Sequence, residues 1–159
     1  MLVPAVLYKE EIKKKIQSYF YTKDMMYETG CLDNYIPNIV DCPGANCVQL
    51  AVINNNNKLL GFIVYNVDYY ASRASRFGIF SFDRGNPLFG KEIFNELEKL
   101  VKRFHRVEWR MVGGNPAERS YDKFCFKHGG NKHVLKDATK DRDGNYIDDI
   151  IYEIISDDH

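Results

Sequence analysis

What this sequence lacks removes several classes of function. It has no surplus of charge: 22 Lys and Arg against 22 Asp and Glu leave a formal net charge of zero. Bulk electrostatic capture of nucleic acid or of an anionic membrane is weakened accordingly. It has no CxxC pair. Cys31, Cys42, Cys47 and Cys125 stand apart, the spacing of Cys42 and Cys47 does not suit zinc, and His128 and His133 do not complete a ligand set. Reduced thiols and no structural metal are expected. No apolar run reaches membrane-spanning length. In the opening MLVPAVLYKEEIKKK the charges follow the short apolar piece, the reverse of a signal peptide. The expectation is a cytoplasmic protein with no membrane partner. The length suits a single domain over residues 1–159, with its own core.

What is present is aromatic. The 11 Tyr and 10 Phe favour a strand-rich core over disorder. The chain is organised around FGIFSFDRGNPLFGKEIFNELEKLVKRF, residues 77–104. Phe77, Ile79, Phe80 and Phe82 make a short apolar run suited to a buried strand. Gly85-Asn86-Pro87 then stops the strand and opens a helix, with Asn86 as N-cap and Pro87 at the first helical position. Phe89, Ile93, Leu97, Leu100 and Phe104 recur on one helix face. Such a start aims unpaired amides and the positive end of the helix dipole past the strand, a setting suited to phosphate. Plain architecture is the commoner use of the same pattern, because caps and water satisfy most helix starts.

Along the chain, residues 2–8 read as an edge strand held there by Pro4. Residues 9–20 read as an amphipathic helix with Ile12, Ile16, Tyr19 and Phe20 inward. Residues 21–46 lack a period and contain Gly30, Pro37, Pro43 and Gly44, which predicts a long loop, one short helix and a substrate-facing flap. Cys47–Ile53 is a strand, the asparagines at 54–57 a hairpin turn, and residues 58–69 the returning strand, with Gly61 at a bulge. Residues 106–112 alternate apolar Val107, Trp109 and Met111 with polar Arg106, Glu108 and Arg110.

Gly114-Asn115-Pro116 then repeats the earlier tripeptide. Asn115 is expected to cap, Pro116 to begin the helix and Glu118 to complete a capping box, with the helix ending at Gly129-Gly130. Two successive strand–helix units predict parallel neighbours with both helix starts at one sheet edge. Residues 133–138 and 145–155 close the chain as a hairpin. Its Asp-Gly turn resembles a calcium loop only loosely, so no calcium is expected. Lys102, Arg103, His105 and Arg106 form a short basic cluster at a helix C-terminus, which does not predict nucleic-acid binding.

This order resembles the GNAT superfamily of acyl-CoA-dependent N-acetyltransferases from about Pro4 to Ile155. Gly90 in the first turn after the central strand, Asn115 with Tyr121, KHGG at 127–130 and the ending YIDDIIYEII carry the resemblance. It implies an α/β (α+β) fold. The sheet would be mixed and mostly antiparallel, with a central splayed parallel pair and helices on both faces. It implies acetyl-CoA as donor. The pantetheine arm would pair with the backbone of Ile79, Phe80, Ser81 and Phe82, and the pyrophosphate would rest on Arg84, Gly85, Asn86, Leu88, Phe89, Gly90 and Lys91, with Asn115 across the cleft.

Two departures stand out. The family's phosphate loop is usually Q/R-x-x-G-x-G/A, and here Gly85 and Leu88 replace its first and second signature positions, so Leu88 is expected to crowd the phosphates. Four residues before Gly129, where a proton-donating Tyr often stands, is Cys125. Tyr121 lies one turn earlier on the same face and is the expected acid. Cys125 is a weaker donor or a thiol open to acylation, or simply part of the inner stripe. Glu108, then Asp68, are the expected general bases; an ion-pair ladder with Arg106 and Arg110 also accounts for Glu108. The implied function is acetyl transfer to an amine of a small molecule or protein in a ternary complex, by a monomer or homodimer. The alternative is a GNAT-fold binding module without transfer.

Overall fold

A computed structural model describes residues 1–28, 38–41 and 44–156. Its centre is one seven-stranded sheet: β1 (Leu2–Pro4), β2 (Cys47–Ile53), β3 (Leu59–Asp68), β4 (Arg73–Ser81), β5 (Arg106–Val112), β6 (Asn131–Lys140) and β7 (Tyr146–Ile155). The strand order is β1-β2-β3-β4-β5-β7-β6. All neighbours are antiparallel except β4 and β5, which run parallel. Helix α1 (Lys9–Tyr19) covers one face; α2 (Pro87–Arg103) and α3 (Glu118–Lys127) cover the other. No helix is long and apolar enough to cross a membrane among the described residues.

Each face has its own core because strand side chains alternate. Ile12 and Ile16 of α1 pack with Ala51, Phe62, Phe80 and Phe82. On the other side Phe89, Ile93, Leu97 and Leu100 of α2 meet Tyr65, Phe77, Ile79 and Trp109, with Tyr121 and Phe124 of α3 beside them. Burying each large apolar side chain is worth about 1.5–3 kcal/mol, against about 1 kcal/mol for a helix cap. Burial therefore fixes where α2 lies, and the cap fixes where it begins. Gly61 permits that seat: a Cβ there would stand 2.1 Å from the Phe89 ring and 2.5 Å from the Phe80 carbonyl oxygen.

Several boundaries differ from expectation. The first strand ends at Pro4, and Ala5–Tyr8 coil into a 3₁₀ turn that buries Ala5. The bulge falls at Leu60, beside Gly61, because Val52 pairs with Gly61 and Ile53 with Leu59. The last hairpin begins at Asn131. Within residues 21–46 the short helix is a 3₁₀ turn, Lys23–Tyr27. The rest of the expected flap falls largely outside the described residues, as do Cys31 and Cys42. Helix α3 starts at Glu118, not Pro116. The Asn115 side-chain oxygen accepts from the Ala117 amide at 2.9 Å and its carbonyl from the Glu118 amide at 2.9 Å. Pro116 and Ala117 are thus held as a separate turn.

Candidate active site

The parallel ladder between β4 and β5 runs through Arg73–Arg106 and Ala74–Val107 and ends at Phe77–Trp109. Beyond that pair the strands part. Each is followed within a few residues by Gly-Asn-Pro, and Gly85 and Gly114 both have φ of +78°, a left-handed conformation that glycine adopts without a Cβ penalty. The two turns send α2 and α3 away from the same edge, and the space between them is a notch of about 340 Å³. Ile79, Ser81, Arg84, Gly85, Asn86, Phe89 and Gly90 line one side. Asn115, Pro116, Ala117, Ser120 and Tyr121 line the other, and Tyr27 and Glu28 complete the wall.

At the start of α2 the Asn86 side-chain oxygen accepts from the Leu88 amide at 3.0 Å, and its carbonyl accepts from the Gly90 amide at 3.3 Å. The Phe89 amide has no acceptor among the described residues. It is the kind of donor that a helix start offers an anion. Gly90 borders the notch, and a Cβ there would meet nothing within 4 Å. The space is open rather than packed.

On the opposite wall Tyr121 is 1% exposed, ringed by Phe94, Trp109 and Tyr152 at centroid distances of 5.7, 5.6 and 6.0 Å. Its hydroxyl makes no hydrogen bond among the described residues, and the residue lines the notch. Burial, and then the charge of Glu28, push the Tyr121 phenol above its ordinary pKa. It holds its proton across the whole neutral range. Neighbouring Tyr152 is different, because its hydroxyl donates to Asp122 at 2.6 Å.

The structure separates the sequence-predicted residues into two groups. Ile79, Ser81, Arg84, Gly85, Asn86, Phe89, Gly90, Asn115 and Tyr121 meet at the notch. Phe80 and Phe82 put their side chains in the α1-side core, and the Phe82 amide donates to Leu60 on β3 at 2.9 Å. Leu88 does not crowd the notch: it is 52% exposed and outside the lining, because the first turn of α2 rotates it to solvent. Lys91 is likewise exposed on α2.

Cys125 is also away from the notch. Its thiol donates to the Asn131 carbonyl at 3.4 Å, toward β6, and burial pushes its pKa up to about 11. Glu108 lies on the polar side of β5, opposite the face carrying Trp109. It accepts from Arg106 Nε at 2.9 Å, and Arg106 also pairs with Glu153 at 2.7 Å, so it belongs to the ladder. Asp68 accepts from the Ala71 amide in the β3–β4 turn. Among the described residues no group of His, Cys, Asp or Glu side chains is placed to hold a metal.

Glu28 is the residue that sequence reasoning passed over. It is 4% exposed. One carboxylate oxygen accepts from the Ser81 amide at 2.8 Å and the other from Arg84 at 2.9 Å. Burial raises its pKa, and the bonds from Arg84 and Ser81 oppose that rise. No periodicity or motif in residues 21–46 marks it.

No family model matches the chain, and no curated protein matches it in sequence. Solved structures do match in shape. The spermidine N-acetyltransferase of Vibrio cholerae, solved with CoA and spermine, superimposes with a TM-score of 0.68 at 13% identity over 98% of this chain and 94% of its own. A chimera of that enzyme gives 0.69 at 18% identity over the same shares. The ribosomal-protein-S18-alanine N-acetyltransferase of Escherichia coli gives 0.55 at 17% identity, over 74% of this chain and 76% of its own. With a mixed sheet, one parallel pair that parts beyond Trp109, and helices on both faces, the chain has the fold of the GNAT acetyltransferases.

Proposed function

We propose that the protein is an N-acetyltransferase that moves an acetyl group from acetyl-CoA to an amine by direct attack in a ternary complex. The observation that carries this reading is the parting of β4 from β5 into a notch bordered by two helix starts. The residues present suit the donor. The Phe89 amide, the α2 dipole and the guanidinium of Arg84 are the groups for a pyrophosphate, and Gly90 leaves it room. The stretch of β4 that parts from β5, with Ser81 lining the notch, suits an amide-bearing arm. Acetyl-CoA supplies an activated thioester. The role of Tyr121 is to hold a proton at its hydroxyl for the departing thiolate; its raised pKa keeps that proton in place through the neutral range while making the phenol a weaker acid. Asn115 positions the turn from which α3 presents Tyr121. Glu108 and Cys125 have no part in the chemistry. Spermine in a neighbour of the same fold supports an amine as acceptor, on a small molecule or on a protein.

A second reading, a binding module without transfer, is favoured by the engagement of Ser81 and Arg84 by Glu28. Calorimetry with acetyl-CoA, followed by CoA release in the presence of polyamines and peptide amines, separates the two. Binding with amine-dependent CoA release is the expected result. Binding without release selects the module, and no binding at millimolar acetyl-CoA removes the enzyme.

A further inference from the structure

The turn Lys23–Tyr27 and the adjoining Glu28 cross the mouth of the notch and are tied to both of its walls. On the α3 side, the Asn115 side-chain amide donates to the Tyr27 carbonyl at 3.0 Å. On the β4 side, Glu28 accepts from the Ser81 amide and from Arg84, and Arg84 also pairs with the Asp24 carboxylate at 3.2 Å and donates to the Asp24 carbonyl at 3.1 Å. The Ser81 amide faces the gap: the neighbouring Phe82 amide points the other way, to β3, and strand amides alternate. One carboxylate therefore takes both a strand amide and a cation that lines the notch.

We propose that Glu28 is an internal occupant of the donor site, and that an acyl-CoA binds by displacing its carboxylate from the Ser81 amide and Arg84. This rests on the acyl-CoA reading above. The physical case is competition for the same donors. A pantetheine amide needs a β4 edge amide, a pyrophosphate needs Arg84, and neither group can serve Glu28 at the same time. Displacement is feasible because burying a carboxylate costs several kcal/mol, which its pairing with a cation only roughly offsets. The groups facing Glu28 are Arg84, Asp24, the Ser81 amide and Tyr121. Once Arg84 turns to a phosphate, Asp24 and Glu28 lose their shared cation together, and the turn keeps its Asn115 tether and the exposed Lys23–Asp143 pair at 2.7 Å. Donor binding then loosens the 23–28 segment on the notch's rim.

The test uses the whole chain. Calorimetry with CoA is expected to show Glu28→Ala binding at least about fivefold tighter than the unaltered protein, with Glu28→Gln in between because it keeps a weaker acceptor for Ser81. Equal or weaker binding by a folded Glu28→Ala overturns the proposal. A measurement without any variant accompanies it: hydrogen exchange of the Met25 and Glu28 amides, which donate to Thr22 and Met25, should quicken when CoA is added. Unchanged or slower exchange on CoA binding overturns the proposal, even if Glu28→Ala fails to fold. If the unaltered protein and both variants all fail to bind CoA, the acyl-CoA reading itself falls. That outcome differs from CoA binding that ignores Glu28.

Discussion

The same three residues, Gly-Asn-Pro, open a helix at 85 and again at 114, and the two copies serve different ends. Both glycines share one left-handed conformation, and both asparagines accept the amide two residues on, at 3.0 and 2.9 Å. The differences begin at the side-chain amides. Asn86 donates to Asp83, its own neighbour, on a partly exposed rim. Asn115 is buried and donates to Tyr27, 88 residues away. The first copy leaves a helix start open to a ligand. The second fastens a crossing segment and delays its helix to Glu118, which presents Tyr121. Local chemistry repeats, whereas tertiary partners decide its use: an open helix start at α2, and a tether for the crossing segment before α3.

That contrast can be broken by substitutions on either side. The largest effect belongs to the α3 side. Tyr121→Phe is expected to lower kcat about 100-fold with acetyl-CoA affinity unchanged, because the ring and its aromatic neighbours remain. The sign of the pH dependence follows from the raised phenol pKa: the protonated acid persists above the ordinary Tyr value, so Tyr121 should produce no falling limb in kcat up to about pH 10. Equal rates for the two proteins would end the case for Tyr121 as the acid.

Next is stability. Asn115→Ala loses the turn bond to the Ala117 amide and leaves the partly buried Tyr27 carbonyl without its donor, and should cost about 2 kcal/mol, against about 1 kcal/mol for Asn86→Ala. Urea unfolding of the two variants measures the difference, and equal costs would erase the distinction between the helix starts. The smallest effect tests the exposed side of α2. Leu88→Ala should change both stability and CoA affinity by less than about 0.5 kcal/mol, as surface substitutions do. Markedly tighter CoA binding would mean that Leu88 enters the notch after all.

Much of the architecture was legible. Strand β2 and strand β5 have the bounds that their apolar runs predict, and Asn86 with Pro87 marks the first residue of α2. The parallel pairing of β4 with β5 followed from two strand–helix units in succession. These signals are short-range: a cap or a turn residue acts within a few positions of itself. Side-chain destinations were less legible. Glu108 reads as a cleft base from its polar strand face, yet that face turns away from the notch because Val107, Trp109 and Met111 claim the core under α2 and α3. Cys125 shares a helix with Tyr121, but its thiol turns to the carbonyls of Asn131 and Glu153.

By itself the sequence determined the elements, their order and the two helix starts, because periodicity, glycine conformation and Asn-Pro caps are properties of neighbouring residues. Only the tertiary structure decided what meets at the notch. The Ser81 amide finds Glu28 from 53 residues away, and no local rule sets that partnership. It arises because strands that part leave strand amides without partners, and a buried amide must be satisfied by whatever chain the fold brings near.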